Sequence, residues 1–255
     1  MKGKVKGIIK AVCSVLLVGV MCVSGYQICI TQAQYQQEEL QHQALLAYKP
    51  MPVAPDSDYA PPPSGVALLR QEYPDVAGWL EIPNTKIDYP FVLAEDNDEY
   101  LRADLDGNYL LAGSIFMDYR CMPDFSLFNT IIYGHNMKNG SMFGTLPSFR
   151  TAAFFAQHPE GIIHLEDETY RLEFFACVLT NRYDTTIYNS LQNTQTDKLA
   201  FLNHVQSTAA QYRDIGISAE DTIVTLSTCS YEFADARTVL IGRLVMEEAA
   251  TIQST

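Results

Sequence analysis

Residues 11–30 contain no charged side chain, and this apolar run of 20 residues limits the possible folds more than any other feature. About 20 apolar residues are what a helix needs to cross a lipid bilayer. Four lysines lie just before the run, at Lys2, Lys4, Lys6 and Lys10. Because basic residues flank the cytoplasmic side of a span, the pattern predicts a cytoplasmic tail over residues 1–10, a transmembrane anchor over 11–30 and an extracellular remainder.

A cleaved signal peptide is the alternative explanation of this N-terminus. The apolar run is not followed by a small-x-small cleavage site, since Tyr26, Gln27 and Ile28 continue it. We therefore favour an uncleaved anchor.

Residues 31–65 are predicted to link the anchor to a folded domain. A Gln-rich run over residues 31–43 suits a juxtamembrane helix, and the stretch 50–65 carries six prolines. Such a composition favours an extended spacer over a packed element. Residues 66–247 are long enough for one domain with a full core, and residues 248–255 form a C-terminal tail.

Short β-branched runs separated by Asn, Asp, Gly and Pro dominate residues 66–247, which predicts a mainly β domain, either a barrel or a sandwich, with added helices. Strands are predicted at residues 130–133, 162–165, 170–179, 222–226 and 239–245. Apolar residues at three- and four-residue steps predict one helix over 197–212, and residues 148–157 are a shorter candidate.

Residues 225–229 and Arg237 place chemically useful groups at the ends of two predicted strands. If these strands pair, Cys229 at the end of one faces Arg237 at the start of the next. An adjacent guanidinium favours a thiolate nucleophile and donates to an oxyanion on a bound carbonyl. Arg243, six residues later on the same face, is the competing arginine.

His135 is the candidate proton-transfer partner, since a thiolate nucleophile usually works with a His. It follows the strand-like run 129–133 and opens a glycine-rich loop, so a rigid element would hold it where a substrate can reach it. The other four histidines fit structural or surface roles: His42, His158, His164 and His204.

Together these segments resemble the class B sortases. The resemblance rests on residues 225–229 with Arg237 and on residues 133–144, is supported by residues 78–90, 97–101 and 113–120, and covers roughly residues 66–247. It implies a sortase-type β-barrel and a membrane-anchored cysteine transpeptidase of Gram-positive bacteria. Such an enzyme cuts a C-terminal sorting signal of the Asn-Pro-x-Thr type, forms a thioacyl-enzyme, and passes the secreted protein to an amine of a cell-wall precursor or a pilin.

Carried over by position, the resemblance makes Cys229 the nucleophile, His135 the general acid and base, and Arg237 the oxyanion or substrate stabiliser. It also implies four residues that line the peptide groove: Asn97, Tyr133, Tyr188 and Ser227. Two rivals remain, an L,D-transpeptidase or papain-like hydrolase that does not need Arg237, and a non-catalytic surface scaffold in which Cys229 is buried.

Cofactors, metals and nucleic acid are not expected. The chain has 30 acidic against 17 basic residues, a net charge of −13, which argues against a nucleic-acid partner. The acidic residues lack metal-site spacing, and neither a phosphate-binding glycine loop nor a Cys-x-x-Cys pair is present. Of the six cysteines three lie in the apolar run, and the spacing of Cys121 and Cys177 leaves a disulfide between them open.

Overall fold

A computed structural model describes residues 2–50 and 65–247 in two compact units, which divide between Ala44 and Leu45. The described residues of the first unit all belong to one long helix, α1, over Lys2–Leu45, whose last residue falls in the second unit. It confirms helical structure for both the apolar run and the Gln-rich run that follows. The stretch Ile9–Tyr48 includes a segment long and apolar enough to cross a membrane, with a mean hydropathy of 2.0. At 1.5 Å per residue, 20 helical residues span about 30 Å, the thickness of a hydrocarbon core.

Among the described residues of the second unit, nine strands form one sheet. Their bounds are β1 Val76–Glu81, β2 Asp88–Leu93, β3 Ile115–Met117, β4 Asn129–Tyr133, β5 Glu160–His164, β6 Thr169–Asn181, β7 Ala209–Tyr212, β8 Ile223–Cys229 and β9 Ala236–Met246. The five strands predicted from the sequence are all present, and each differs from its prediction by a few residues at the ends.

Eight of these strands close into a barrel. The order is β5-β1-β2-β3-β4-β8-β9-β6-β7, and an additional pairing of β5 with β6 joins the two sides. The 13-residue strand β6 makes this possible, because its first part pairs with β5 and its later part with β7. The barrel predicted from the sequence is therefore confirmed. Strand β7 pairs with β6 and is not one of the eight strands that close the barrel.

Two helices of the second unit are α2 over Gly65–Glu72 and α3 over Ala152–Gln157. The helix predicted over 148–157 is divided, since a 3-10 helix over Leu146–Arg150 precedes α3 and Thr151 between them is extended. Two further 3-10 helices cover Leu46–Tyr48 and Glu99–Leu101.

The predicted helix over 197–212 is wrong at its C-terminal end. Helix α4 covers Gln195–Thr208, with the Thr194 side chain capping its start, and Ala209 is extended. Residues after it form β7, in which Tyr212 pairs with Ala176 and packs edge-on against Phe175. Both Ala209 and Tyr212 pack against the same core cluster as α4. Their spacing in the sequence therefore matched that of a helix, although they belong to a strand.

The proline-rich segment lies largely outside the described residues, which stop at Pro50 and resume at Gly65. Described residues on both sides of it contact the barrel unit. Before the gap, Lys49 bridges the carboxylates of Glu81 and Asp88 at 2.8 Å each, and Tyr48 packs against a cluster that includes Val66 of α2. The prediction of an extended spacer concerns residues outside the described ranges.

Candidate active site

Strands β8 and β9 bring the candidate thiol and guanidinium together. The two strands are antiparallel, and Cys229, the last residue of β8, is directly opposite Arg237, the second residue of β9. Side chains directly opposite each other in such a pair have Cβ atoms about 4.5–5.5 Å apart. Cys229 is partly exposed. The predicted arrangement across the sheet rim is thus confirmed.

Strand β4 carries His135 to the same rim. It runs parallel to β8 with Tyr133 level with Ser227, so His135 and Cys229 each lie two residues beyond that pair. Two side-chain bonds hold the strand ends together: Thr228 Oγ1 donates to Gly134 O at 2.7 Å, and Asn136 Nδ2 donates to Cys229 O at 2.8 Å. The structure therefore places the three predicted catalytic residues at the ends of three adjacent strands.

Gly134, the residue before His135, lies where a side chain would not fit. A Cβ atom at this position would lie 2.5 Å from Ile115 Cδ1 and 2.8 Å from Phe143 Cγ, closer than real Cβ contacts occur. Both neighbours are buried in the core. A larger residue before His135 would push the strand end, and the histidine with it, away from its position.

His135 has a defined tautomer and a lowered pKa. Its Nε2 lies 2.7 Å from the carbonyl oxygen of Leu101, and because a carbonyl only accepts, we assign the Nε2 hydrogen to this bond. Nδ1 is then the nitrogen that exchanges a proton. Burial lowers the pKa of His135 below its ordinary value, the Leu101 bond opposes this shift, and the charge of Arg102 adds to it. The neutral imidazole is thus favoured at pH 7.

Three of the predicted groove residues form one contact group beside Cys229. The Tyr188 hydroxyl lies 2.9 Å from Ser227 Oγ, and the Tyr188 ring stacks on Tyr133 with centroids 6.4 Å apart. Burial raises the pKa of Tyr188 to about 12. The charge of Arg237 lowers this pKa, and the charge of Cys229 raises it further. Tyr188 therefore lies within electrostatic reach of both catalytic candidates.

Asn97, the fourth predicted groove residue, joins this group through a buried carboxylate. Its Nδ2 donates to Asp118 Oδ2 at 3.1 Å, and the Tyr133 hydroxyl donates to the same oxygen at 2.9 Å. Sequence reasoning missed Asp118, Asn136 and the Leu101 carbonyl. In the sequence, Asp118 follows an apolar run and Arg120 comes two residues later, which could have indicated an ion pair. The other partners of Asp118, Asn97 and Tyr133, come from distant parts of the chain.

The competing arginine lies elsewhere. Arg243 is opposite Ile223, the first residue of β8, and so at the other end of the strand from Cys229. Its guanidinium donates to Glu173 Oε2 from Nε at 3.0 Å and from Nη2 at 2.5 Å. The register thus favours Arg237 as the arginine of the site.

The remaining barrel histidines and cysteines have structural surroundings. His158 Nδ1 lies 2.9 Å from Phe154 O, His164 Nδ1 lies 3.0 Å from Thr169 Oγ1, and His204 Nε2 lies 2.8 Å from Asp184 Oδ2. Cys121 and Cys177 are both free and buried, so the possible disulfide between them is not formed. Burial raises the pKa of the Cys121 thiol to about 11 and of the Cys177 thiol to about 12, which makes them poor nucleophiles.

In the described ranges, 2–50 and 65–247, no three or more His, Cys, Asp or Glu residues are grouped as metal ligands would be. The chemistry that this site offers is that of a thiol, an imidazole and a guanidinium beside a wall of polar and aromatic side chains.

Comparison with known proteins identifies the family to which this chain belongs. A family model described as the sortase domain matches residues 80–245. The chain is 38% identical to sortase B of Listeria monocytogenes over 179 residues, 69% of this chain and 72% of the relative.

Solved structures extend the similarity to the fold. Sortase B of Bacillus anthracis has a TM-score of 0.72 and 34% identity, over 84% of this chain and 98% of that one. A Streptococcus pyogenes class B sortase involved in pilus biogenesis has a TM-score of 0.62 and 38% identity, over 67% of this chain and 92% of that one.

The closed barrel with a thiol at its rim, preceded in the chain by an apolar helix that fits a membrane anchor, defines a cysteine transpeptidase. The chain belongs to the sortase family, and within it to the class B sortases.

Proposed function

We propose that Cys229, His135 and Arg237 are the catalytic residues of this sortase. The register that sets Cys229 opposite Arg237, with His135 at the end of the adjoining strand, is the observation that carries the proposal. A thiol on a rigid strand, a histidine with one nitrogen fixed by a carbonyl, and an arginine free of carboxylate partners among the described residues have the chemistry that acyl transfer needs.

Acylation begins with attack of the Cys229 thiolate on the carbonyl carbon of the substrate threonine. A C–S bond forms, and Arg237 donates to the oxyanion of the tetrahedral intermediate. The Ser230 N–H is already bonded to Ala236 O at 2.9 Å, so we assign the oxyanion contact to Arg237. The amide C–N bond then breaks, protonated His135 gives a proton to the leaving nitrogen, and a thioacyl-enzyme remains.

Deacylation reverses these roles. Neutral His135 accepts a proton from an incoming amine, the amine nitrogen attacks the thioester carbonyl, and the C–S bond breaks to release the thiolate. The lowered pKa of His135 favours the neutral base needed here and makes the protonated acid of the first step the less populated form at pH 7. Water replaces the amine slowly, so the enzyme without an acceptor acts as a peptidase.

For the substrate we propose a sorting signal of the Asn-Pro-x-Thr type, as the similarity to sortases named sortase B implies. Its binding wall is formed by Asn97, Tyr133, Tyr188 and Ser227, which contact one another directly or through Asp118. The acceptor is an amine of a cell-wall precursor or of a pilin; one similar enzyme is involved in pilus biogenesis.

We further propose that the N-terminal helix is an uncleaved anchor that leaves residues 1–10 in the cytoplasm and the barrel outside. The support is the lysine cluster before the apolar run. Tagging the two ends of the chain and measuring protease protection in intact protoplasts tests this orientation.

Peptide cleavage tests the catalytic proposal. The full chain in detergent micelles is incubated with fluorogenic peptides of the Asn-Pro-x-Thr and Leu-Pro-x-Thr types, alongside Cys229→Ala. We expect cleavage after threonine, faster for the first peptide, and no cleavage by the variant. Mass spectrometry should detect the acyl group on Cys229 of the parent enzyme.

Alkylation separates the proposal from its rivals. Under native conditions iodoacetamide should modify Cys229 and leave the buried Cys121 and Cys177 unmodified. A Cys229 inert to alkylation, together with no cleavage of either peptide, would support a scaffold. Cleavage that survives Arg237→Ala undiminished would support another Cys–His peptidase.

A further inference from the structure

Asp118 is a fully buried carboxylate immediately after β3. Four donors from three side chains converge on its oxygens. Arg120 donates from Nε to Oδ1 and from Nη2 to Oδ2, both at 2.8 Å, and Asn97 Nδ2 and the Tyr133 hydroxyl donate to Oδ2. The Arg120 backbone N–H adds a bond to Oδ1 at 3.0 Å. This carboxylate therefore has a full set of hydrogen bonds.

The donors to Asp118 are the side chains to which we assign peptide binding, or their direct supports. Asn97 and Tyr133 donate to it themselves. Arg120 also donates from Nη2 to the Tyr188 carbonyl at 3.2 Å, and so ties down the segment that carries Tyr188. Tyr188 in turn stacks on Tyr133 and meets Ser227 through its hydroxyl. One buried charge thus connects all four proposed groove residues.

Stability alone does not explain a buried charge at this place. Replacing a buried ion pair by apolar side chains of similar volume is often neutral or stabilising, because two charges lose their hydration. A buried carboxylate does, however, fix the orientation of the side chains around it, because each donor must point at one of its oxygens. Asn97 is further fixed because its Oδ1 accepts the Tyr119 N–H at 3.1 Å.

We propose that Asp118, with Arg120, is the positioning residue of the peptide-binding wall. It fixes the amide of Asn97, the ring of Tyr133 and the segment bearing Tyr188 in one arrangement before the sorting signal binds. It acts through these residues and does not touch the reacting atoms. This inference rests on the proposed assignment of the four groove residues.

The test compares Asp118→Asn with the parent full chain in detergent, using the Asn-Pro-x-Thr peptide. We expect KM to rise about tenfold, because the wall is no longer pre-organised, while the rate at saturating peptide changes by less than about threefold. The alkylation rate of Cys229 should be unchanged, since the thiol and its neighbours on β8 and β9 are not altered.

Glu173→Gln is the matched control. Glu173 also accepts a two-pronged arginine contact, from Arg243, at the opposite end of β8 and β9. Loss of that contact should lower the melting temperature and leave KM unchanged. An Asp118→Asn variant that behaves in the same way, with a lower melting temperature but an unchanged KM, would overturn the positioning role.

Arg120→Lys provides a second variant if Asp118→Asn does not fold. It keeps a positive charge beside Asp118 but loses the fork that holds Asp118 and the Tyr188 carbonyl together. We expect the same KM-specific defect, and a smaller one. An unchanged KM in folded Arg120→Lys would refute the proposal. Failure of the parent enzyme to cleave either peptide would instead refute the proposed function.

Discussion

The two ends of the β8–β9 ribbon each present an arginine, and the two arginines have opposite surroundings. At one end Arg243 lies opposite Ile223 and is held by Glu173 at 2.5 Å and by Asp221 at 3.8 Å. At the other end Arg237 lies opposite Cys229, and its described hydrogen bond is to its own neighbour, Ala236 O.

The two arginines of this one strand therefore differ in whether a carboxylate already neutralises their charge. The charge of Arg243 is neutralised by the carboxylates of Glu173 in β6 and of Asp221 just before β8, so it is less available to a new negative charge. In contrast, Arg237 has no carboxylate partner among the described residues, and its charge is available to an oxyanion that forms beside Cys229. We therefore call the Arg243 end of the ribbon the structural end and the Arg237 end, where we propose that catalysis occurs, the reactive end.

The largest expected difference between the two ends is in catalysis. Replacing Arg237 by Ala should lower kcat/KM for peptide cleavage by about 10²–10³-fold, the usual cost of removing an oxyanion donor. Replacing Arg243 by Ala should change it by less than about threefold. Steady-state kinetics of both variants in detergent measure this. Equal losses would mean that the ends are not functionally distinct.

For stability the order of the two variants should reverse. Arg243→Ala leaves the largely buried Glu173 with one partner fewer, and we expect a loss of about 1–3 kcal/mol in the free energy of unfolding. Arg237→Ala removes no ion pair and should cost less than about 0.5 kcal/mol. Thermal melts followed by circular dichroism would reveal the order, and a larger loss in Arg237→Ala would contradict it.

His135, at the reactive end, should contribute to the pH dependence of stability. The pKa of His135 is lower in the folded protein than the 6.5 of the unfolded chain. Its contribution to stability is therefore complete above pH 6.5 and is lost as the pH falls toward the folded value. His135→Gln should abolish this part of the pH dependence.

NMR titration of the imidazole measures the folded value directly, and melts between about pH 7.5 and 5 measure the consequence. A midpoint at or above 6.5, or an identical pH dependence in His135→Gln, would contradict the prediction.

The smallest effect is expected from Tyr188→Phe. This change keeps the ring that stacks on Tyr133 and removes only the hydroxyl that meets Ser227 at 2.9 Å. One neutral hydrogen bond contributes about 0.5–1.5 kcal/mol, so we expect KM for the peptide to rise by less than about tenfold. Tyr188→Ala, which also loses the ring, should raise KM further, and an equal or smaller rise in Tyr188→Ala would show that the stacking does not contribute to binding.

Much of this fold could be predicted because its local signals are strong. The β-branched runs that became β8 and β9 were found with the correct pairing, and that pairing alone put Cys229 beside Arg237. The end of α4 was not found. Apolar spacing at Ala209 and Tyr212 suits a helix as well as a strand that faces the same cluster, and only the pairing with β6 decided between them.

The candidate site, like the fold, could be predicted from the sequence only in part. The types and order of the residues were enough to single out Cys229, Arg237 and His135, because a nucleophile, an oxyanion donor and a proton carrier are recognisable chemical types. Asp118 was not singled out, since an isolated Asp has many possible roles. Its contacts with the predicted groove residues became visible only when Asn97, 21 residues before it, and Tyr133, 15 residues after it, were found on the same carboxylate oxygen.

By itself the sequence indicated an apolar segment long enough to cross a membrane, a mainly β domain and the three candidate reactive side chains, because composition and short-range patterns are properties of neighbouring residues. The tertiary structure alone decided which strands closed the barrel, which arginine lacks a carboxylate partner among the described residues, and which buried carboxylate connects the predicted groove residues. These depend on contacts between residues that are distant in the chain, and no short-range pattern records such contacts.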